Sequence, residues 1–293
     1  MITQPIRVED PKIRNDVNSF KPIILKKFKD LYQLPEVTIR ILNLMADPNL
    51  NVKKISEFIE TDQEIASKVL KIANSAYYGM CGKITSIRHA AIVLGYKIIG
   101  EIVIIAGFKN ILDRKLQGYS YDSSGLWNHS LAVAYGSKFI VSKENPSLIN
   151  VAYLAGLIHD VGKIVLDELV LEKKEEIKSF VEKEGKTFLE AESHFFNFNH
   201  AEIAFEVCRQ WDFPESISTA IKDHHQPLYS SGNKLSYVLH TADHIARMIG
   251  IGYSNDDILY ETKEGTRNFL GLRQQDFSKM ALKITEAAYK ISH

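Results

Sequence analysis

Apolar residues along this chain recur at the spacing of a helix face and almost nowhere at that of a strand. Val37, Ile41, Leu44 and Met45 fall at i, i+4, i+7 and i+8, and Ile65, Val69, Ile72 and Ala73 repeat the same offsets. Each set lies on one side of a helix with 3.6 residues per turn, so each predicts an inward stripe. Phe277, Met280, Ala281, Ile284, Ala287 and Ala288 form another near the C-terminus, which should dock. A buried strand competes only at the β-branched run Ile102 to Ile105, and that run continues at helical length from Ile98 to Phe108 without turn residues. The expected class is all-α, with an N-terminal helical block packed on a second helical bundle.

Turn residues divide this pattern. Asp47-Pro48-Asn49 closes one helix, Asn74-Ser75 with Gly79 and Gly82 marks an irregular connection, and Leu94-Gly95 breaks the chain before the apolar helix. The polar stretch Leu116 to Gly125, containing Gln117, Gly118, Ser120, Ser123 and Ser124, reads as the linker. The expected organisation is an N-terminal segment over 1–22, which holds Pro5, Pro11 and Pro22, a helical subdomain over 23–118 and a bundle over 119–293. Within the bundle, helices are expected at about 126–142, 147–158, 169–184, 200–211, 214–222 and 235–249. Asn199 followed by Glu202 has the spacing of a capping box, which puts His200 in the first turn of its helix. The charges from Lys173 to Glu176 read as a solvated face.

Charge and composition narrow the function classes. The 36 basic and 36 acidic residues cancel, which disfavours nucleic acid as a partner. The basic residues Lys53, Lys54, Lys68, Lys71, Lys83 and Arg88 alternate with Glu57, Glu60, Asp62 and Glu64, so they read as a mixed surface. Ile98 to Phe108 is shorter than a bilayer span and contains Glu101, so a buried helix is expected and no membrane insertion. The N-terminus lacks the basic start and apolar stretch of a signal peptide, and Cys81 and Cys208 stand apart in apolar contexts. Both features lead to an expected cytoplasmic location with the cysteines as core residues.

The chemistry-bearing residues gather in the second half: His129, the dyad His159-Asp160, His200, the pair His224-His225, and Asp243. Imidazole and carboxylate are the ligands that borderline and hard divalent metals accept, and such metals polarise phosphoryl oxygens and acidify water. A helical bundle can bring ligands from several helices into one pocket. The dyad ends an apolar helix in Gly156-Leu-Ile-His-Asp-Val-Gly162, with Lys163 just beyond, and a buried charged dyad needs a partner or a metal. His224-His225-Gln226-Pro227 also ends a helix.

The ordered set His129, His159-Asp160 with Gly162-Lys163, His200, His224-His225 and Asp243 resembles the HD superfamily of metal-dependent phosphohydrolases, including its HD-GYP branch. A closer resemblance is to the HDOD family, from about residue 23 to 250. It rests on Leu34-Pro35, Ala46-Asp47-Pro48, Ile55 to Ile59, Ala66 to Ser75, Tyr78-Gly79, Ile84 to Ile87 and Ala91 to Gly95. In the second half it rests on Trp127 to Ser130, Ala155 to Gly162, His200 to Ile203, Trp211 to Pro214 and His224 to Pro227. The chain departs from the HD-GYP pattern in lacking its Gly-Tyr-Pro segment, and Gln226 stands where a glutamate often follows the histidine pair.

The resemblance implies an HD-like bundle and a bacterial signalling or regulatory module that works through separate signalling proteins. The alternative it implies is a metal-dependent phosphohydrolase acting on a nucleotide or another phosphoester. In that enzyme His129, His159, Asp160 and Asp243 would hold the principal divalent metal, such as Mn, Fe, Ni, Co or Zn. His200, His224 and His225 would complete a second metal or substrate shell. Asp160 and Lys163 would be the catalytic pair, Lys163 offsetting phosphate charge. Tyr77, Tyr78 and Met80 are candidates for a partner surface, with a structural reading beside it in which Asn74 and Ser75 bond backbone groups freed at a helix end. The oligomeric state stays open, a homo-oligomer included.

Overall fold

The structure, a computed structural model, describes residues 17–45, 52–75, 83–142, 145, 148–252 and 264–292. Its elements are α1 (Val17–Leu31), α2 (Glu36–Met45), α3 (Val52–Glu60), α4 (Gln63–Ala73), α5 (Ile87–Leu94), α6 (Tyr96–Leu112), α7 (Gly125–Ser142) and α8 (Ile149–Ile158). There follow α9 (Gly162–Glu172), α10 (Lys174–Glu184), α11 (Phe188–Phe196), α12 (His200–Gln210), α13 (Glu215–Lys222), α14 (Lys234–Met248), α15 (Glu264–Phe269) and α16 (Gln274–Ser292). No strand forms among the described residues, and the fold is all-α as the periodicity predicts. The Ile102–Ile105 run is helical, inside α6.

By their contacts the described residues form two compact units. One takes in α1 and the chain from Leu112 to Thr285; the other spans Gln33 to Ile111, together with the chain from Glu286. In the second unit the predicted stripes meet in one core, where Val37, Ile41, Ile65, Val69 and Ala73 pack with Ile55, Ile59, Ile87, Ile99 and Ile102. Leu44 and Ile72 close its margin. Asp62 caps α4, its side chain accepting from the Ile65 N–H at 3.0 Å. At the other end of α4 the Asn74 amide donates to Leu70 O at 2.7 Å and Ile84 O at 2.9 Å, while Asn74 Oδ1 accepts from the Ile84 N–H at 2.8 Å. Asn74 therefore joins a helix end to the next segment of backbone, in line with its structural reading. Tyr77, Tyr78, Met80 and Cys81 lie outside the described residues.

The first unit is built around α7, which is buried over most of its length and packs along α8 and α14. Gly156 permits the α7–α8 approach: a Cβ there would sit 2.7 Å from Ala134 Cα and 2.8 Å from Val133 O. The stretch Ile149–Glu172 is long and apolar enough to cross a membrane, yet 83% of its apolar window is buried inside the protein. Cys208 is buried in α12, and burial pushes its thiol pKa up. In α16, Phe277, Met280 and Ile284 face inward as the stripe predicts.

Three local expectations are corrected. Residues 116–125 are not a solvated linker but a tight turn in which Leu116 pairs with Tyr121, with Tyr119 and Tyr121 buried. Polar side chains hid this because the turn is held by tertiary bonds, Asp167 accepting from the Gly118 N–H at 2.8 Å and the Gln117 N–H at 3.1 Å. The helix expected over 169–184 is two helices broken at Lys173, and its first part starts at Gly162. An additional helix, α11, lies between them and α12, opened by a capping box of Thr187 and Glu190.

Candidate metal centre

Six helices deliver one cluster. His129 stands on α7, His159 closes α8, and Asp160 lies in the one-turn break before α9, which carries Lys163. His200 opens α12, placed there by the Asn199–Glu202 capping box. His224 and His225 follow α13, and α14 supplies Asp243 and Arg247. The break after His159 brings the start of α9 against α12 so closely that only glycine fits at 162, where a Cβ would lie 2.0 Å from the His200 carbonyl oxygen. All seven sequence-expected ligand residues are thereby brought together.

Asp160 is the hub. Its Oδ2 lies 2.6 Å from Lys163 Nζ, 3.3 Å from His159 Nε2 and 3.7 Å from His129 Nε2; its Oδ1 lies 3.4 Å from His200 Nε2 and 3.7 Å from His224 Nε2. Asp243 Oδ1 faces His129 Nε2 at 2.9 Å, His159 Nε2 at 3.8 Å and Arg247 Nε at 2.9 Å. His200 and His225 meet through their Nε2 atoms at 2.8 Å. Lys163 is fully buried on Asp160, with the Tyr121 and Tyr119 rings 5.4 Å and 5.6 Å from its Nζ.

The outer nitrogens of the imidazoles fix their tautomers. His129 Nδ1 faces Ile251 O at 3.3 Å, His159 Nδ1 faces Gly156 O at 2.8 Å, and His224 Nδ1 faces Ile221 O at 2.6 Å. A carbonyl only accepts, so each Nδ1 carries a proton, and a ring in its neutral form turns a bare Nε2 lone pair inward. In that form the lone pairs meet carboxylate oxygens, which also only accept, so either a ring proton or a cation must stand between them. The Nε2 atoms of His129, His159 and His224, both Asp160 oxygens and Asp243 Oδ2 are buried without a well-formed hydrogen bond. Acceptors converging on acceptors in a closed core is an arrangement that a cation satisfies.

The protonation preferences differ from ring to ring. Burial would raise the Asp160 carboxyl, but His159 and then Lys163 hold it well below the usual carboxylate range. Burial likewise opposes Asp243, which Arg247 and then His129 hold well below that range. Burial, reinforced by His159, pushes His224 down to about 3, and burial with His224 takes His225 well below the usual histidine value. Burial also works against a charged His159, but Asp160 overrides it and raises that ring. Two ionised carboxylates and neutral His224 and His225 are the forms in which these residues ligate metals. Three sets have ligand atoms within 4.8 Å of one another: Asp160, His200, His224 and His225; His129, His159 and Asp160; and His159, His224 and Asp243. Residues and spacing thus fit one or two divalent ions, with Asp160 common to two of the sets.

Sequence reasoning missed two members of the surrounding network. His240, one turn before Asp243, donates from Nδ1 to the His224 carbonyl at 2.9 Å and so holds the peptide that carries the histidine pair. Glu192 on α11 faces His200 Nδ1 at 2.8 Å. The signal available for Glu192 was the capping-box spacing of Thr187 and Glu190, which marks its helix. His225 lines a surface pocket of about 180 Å³, together with Glu202, Lys222, Asp223, Gln226 and Tyr229.

Known proteins share this fold. The HDOD domain model matches residues 31–227. An HDOD domain protein of unknown function from Geobacter sulfurreducens superposes with a TM-score of 0.70 at 22% identity, covering 95% of this chain and 99% of its own. A Marinobacter aquaeolei protein called a candidate signal transduction protein superposes at 0.73, with 20% identity over 96% of this chain and 67% of its own. A Shewanella amazonensis protein called a candidate phosphohydrolase superposes at 0.67, with 20% identity over 92% of this chain and 97% of its own. Among curated sequences, an uncharacterised Treponema pallidum protein is 22% identical over 73% of this chain and 41% of its own length. An uncharacterised Bacillus subtilis protein is 32% identical over 24% of this chain and 17% of its own. The chain therefore spans less than half the length of the curated relatives it matches. With two thirds of its residues inside the family match and the all-helical fold shared, the chain belongs to the HDOD family.

Proposed function

We propose that this chain is a bacterial signalling module whose buried histidine–aspartate centre holds a divalent metal that sets the state of the bundle, with output through separate partner proteins. The observation that carries this reading is closure. Six of the seven ligand residues are at most 1% exposed, and His225 is 9% exposed. A phosphoester needs a cleft that admits it to the metal, whereas a structural or sensing ion needs only a path for itself. The pocket at His225 carries Glu202 and Asp223 against Lys222, a poor receptor for a phosphoester anion and a favourable approach for a cation. Lys163, the natural partner for a phosphate, is turned onto Asp160. The Marinobacter fold neighbour called a candidate signal transduction protein is consistent with this role.

The second reading, a metal-dependent phosphohydrolase, is favoured by the completeness of the ligand set and by the Shewanella neighbour called a candidate phosphohydrolase. A divalent ion supplies Lewis acidity toward phosphoryl oxygens when bound in such a site. The two readings separate in one experiment with Mn²⁺-loaded protein. Bis(p-nitrophenyl) phosphate and a cyclic dinucleotide are offered as substrates, and backbone amide exchange in α7, α8 and α14 is followed with and without Mn²⁺. The signalling reading predicts slowed exchange with Mn²⁺ and no turnover above that of Asp160→Asn. Metal-dependent hydrolysis that disappears in Asp160→Asn would replace it with the phosphohydrolase.

A further inference from the structure

Glu192 is a fully buried carboxylate, and among the described residues no lysine or arginine pairs with it. A buried carboxylate needs compensation, and here it comes from three donors. The Tyr119 hydroxyl donates to Oε1 at 2.6 Å, and the His200 backbone N–H donates to Oε2 at 2.8 Å. The third donor is His200 Nδ1–H, 2.8 Å from Oε2 and 3.0 Å from Oε1. The carboxylate thus takes hold of His200 at both its backbone and its ring. With Nδ1 committed to Glu192, His200 Nε2 is left facing Asp160 Oδ1 at 3.4 Å and His225 Nε2 at 2.8 Å. His129, His159 and His224 have backbone carbonyls at the same ring position, so of these four rings it is His200 that is backed by a carboxyl side chain.

Tyr119 is itself held in place. It lies in the turn whose N–H groups at Gln117 and Gly118 bind Asp167, its ring packs on Phe188 with centroids 5.4 Å apart, and it meets the His200 ring edge-on at 6.4 Å. The hydroxyl is therefore delivered to Glu192 by a fixed element, and Glu192 in turn has one orientation available.

We infer that Glu192, anchored by Tyr119, is the positioning residue of a carboxylate–histidine–metal triad that fixes His200 Nε2 as the ligating nitrogen of the Asp160, His200, His224 and His225 subsite. The inference rests on the proposal that the centre binds a divalent metal. A carboxylate behind a ligating imidazole holds its tautomer and raises its basicity, and loss of such a partner typically weakens metal binding about 10–100-fold. Glu192→Gln removes the charge and keeps the shape; Tyr119→Phe removes only the anchoring oxygen.

The test titrates chelator-treated full chain with Mn²⁺ by calorimetry, and records side-chain ¹⁵N spectra of the Zn²⁺-loaded protein. Glu192→Gln is expected to bind Mn²⁺ about 10–100-fold more weakly and Tyr119→Phe up to about tenfold more weakly. The spectra are expected to show His200 coordinated through Nε2 with Nδ1 still protonated, a signature that a merely structural role for Glu192 does not require. Unchanged Mn²⁺ affinity in Glu192→Gln, or His200 coordinated through Nδ1, would overturn the inference. If Glu192→Gln fails to fold, Tyr119→Phe and the spectra of the unmutated protein decide. Unmutated protein that takes up no divalent ion defeats the metal proposal itself and this inference with it, a failure read before any variant is made.

Discussion

Replacing Asp160 by asparagine removes the hub of the centre without changing its shape, and the structure sets the size of the effect. The ammonium of Lys163, 2.6 Å away and fully buried, loses its carboxylate. Breaking a buried ion pair from one side costs about 3–5 kcal/mol, because the remaining charge stays desolvated. The new amide recovers part of this by donating to a histidine Nε2 that now faces a carboxylate oxygen, a gain of about 1 kcal/mol. The net loss in the metal-free protein is therefore about 2–4 kcal/mol. At roughly 3 °C per kcal/mol for a unit of this size, Tm should fall by roughly 6–12 °C. The assay is thermal melting of chelator-treated protein at pH 7, with Lys163→Met and the double variant completing a cycle. The double variant should regain most of the loss, since methionine fills the lysine volume without a charge, while still failing to bind metal. An Asp160→Asn protein that melts with the wild type, or a double variant no better than the single, would refute the assignment of that buried charge pair.

Other consequences follow from the same geometry. His224, whose pKa is pushed down to about 3 from an ordinary 6.5, faces His159, His200, Asp160 and Asp243, and in the native protein it stays neutral while the unfolded chain takes up a proton. Metal-free stability should therefore fall as pH drops from about 6.5 toward 3, whereas the raised pKa of His159 contributes stability that is lost as pH rises through it; a melting temperature flat across acidic pH would contradict this. Gly162→Ala places a Cβ 2.0 Å from the His200 carbonyl, and overpacking of about 1–3 kcal/mol should exceed the roughly 1 kcal/mol helix advantage of alanine. A lower Tm and weaker Mn²⁺ uptake are expected; a stabilised variant would show that α9 and α12 are not in such close contact. Asn74→Ala removes three bonds, one to Leu70 within α4 and two that tie the helix end to Ile84, and should destabilise the Gln33–Ile111 unit by roughly 2 kcal/mol in denaturant melts.

The helical stripes were legible in the sequence because burial of one helix face leaves a period that needs no tertiary knowledge. Val37, Ile41, Ile65, Val69, Met280 and Ile284 all lie inside as their spacing implies. The capping box that starts α12 was equally legible, since Asn199 and Glu202 satisfy each other's backbone within one turn. What stayed hidden was set by contacts distant in sequence. Residues 116–125 look like a linker by composition, yet Asp167 and Glu192, about fifty and seventy residues away, bind the turn and bury Tyr119. The break at Lys173 carries no glycine or proline to announce it. Glu192 follows the capping Glu190 by two residues on the same helix, and nothing local distinguishes a buried glutamate from a solvated one. The ligand residues were identifiable by type and order, but their convergence on Asp160 depends on α7, α8 and α14 packing together and on α9 and α13 bringing α12 to them.

The most direct test of the central claim is elemental analysis of protein purified without chelator or metal-affinity resin, repeated on Asp160→Ala. A metal-holding centre predicts near-stoichiometric Mn, Fe, Ni, Co or Zn in the wild type and its loss in a variant that remains folded. Wild-type protein that is metal-free and takes up no added divalent ion would contradict it, and the histidines and aspartates would then be a hydrogen-bonded core network only.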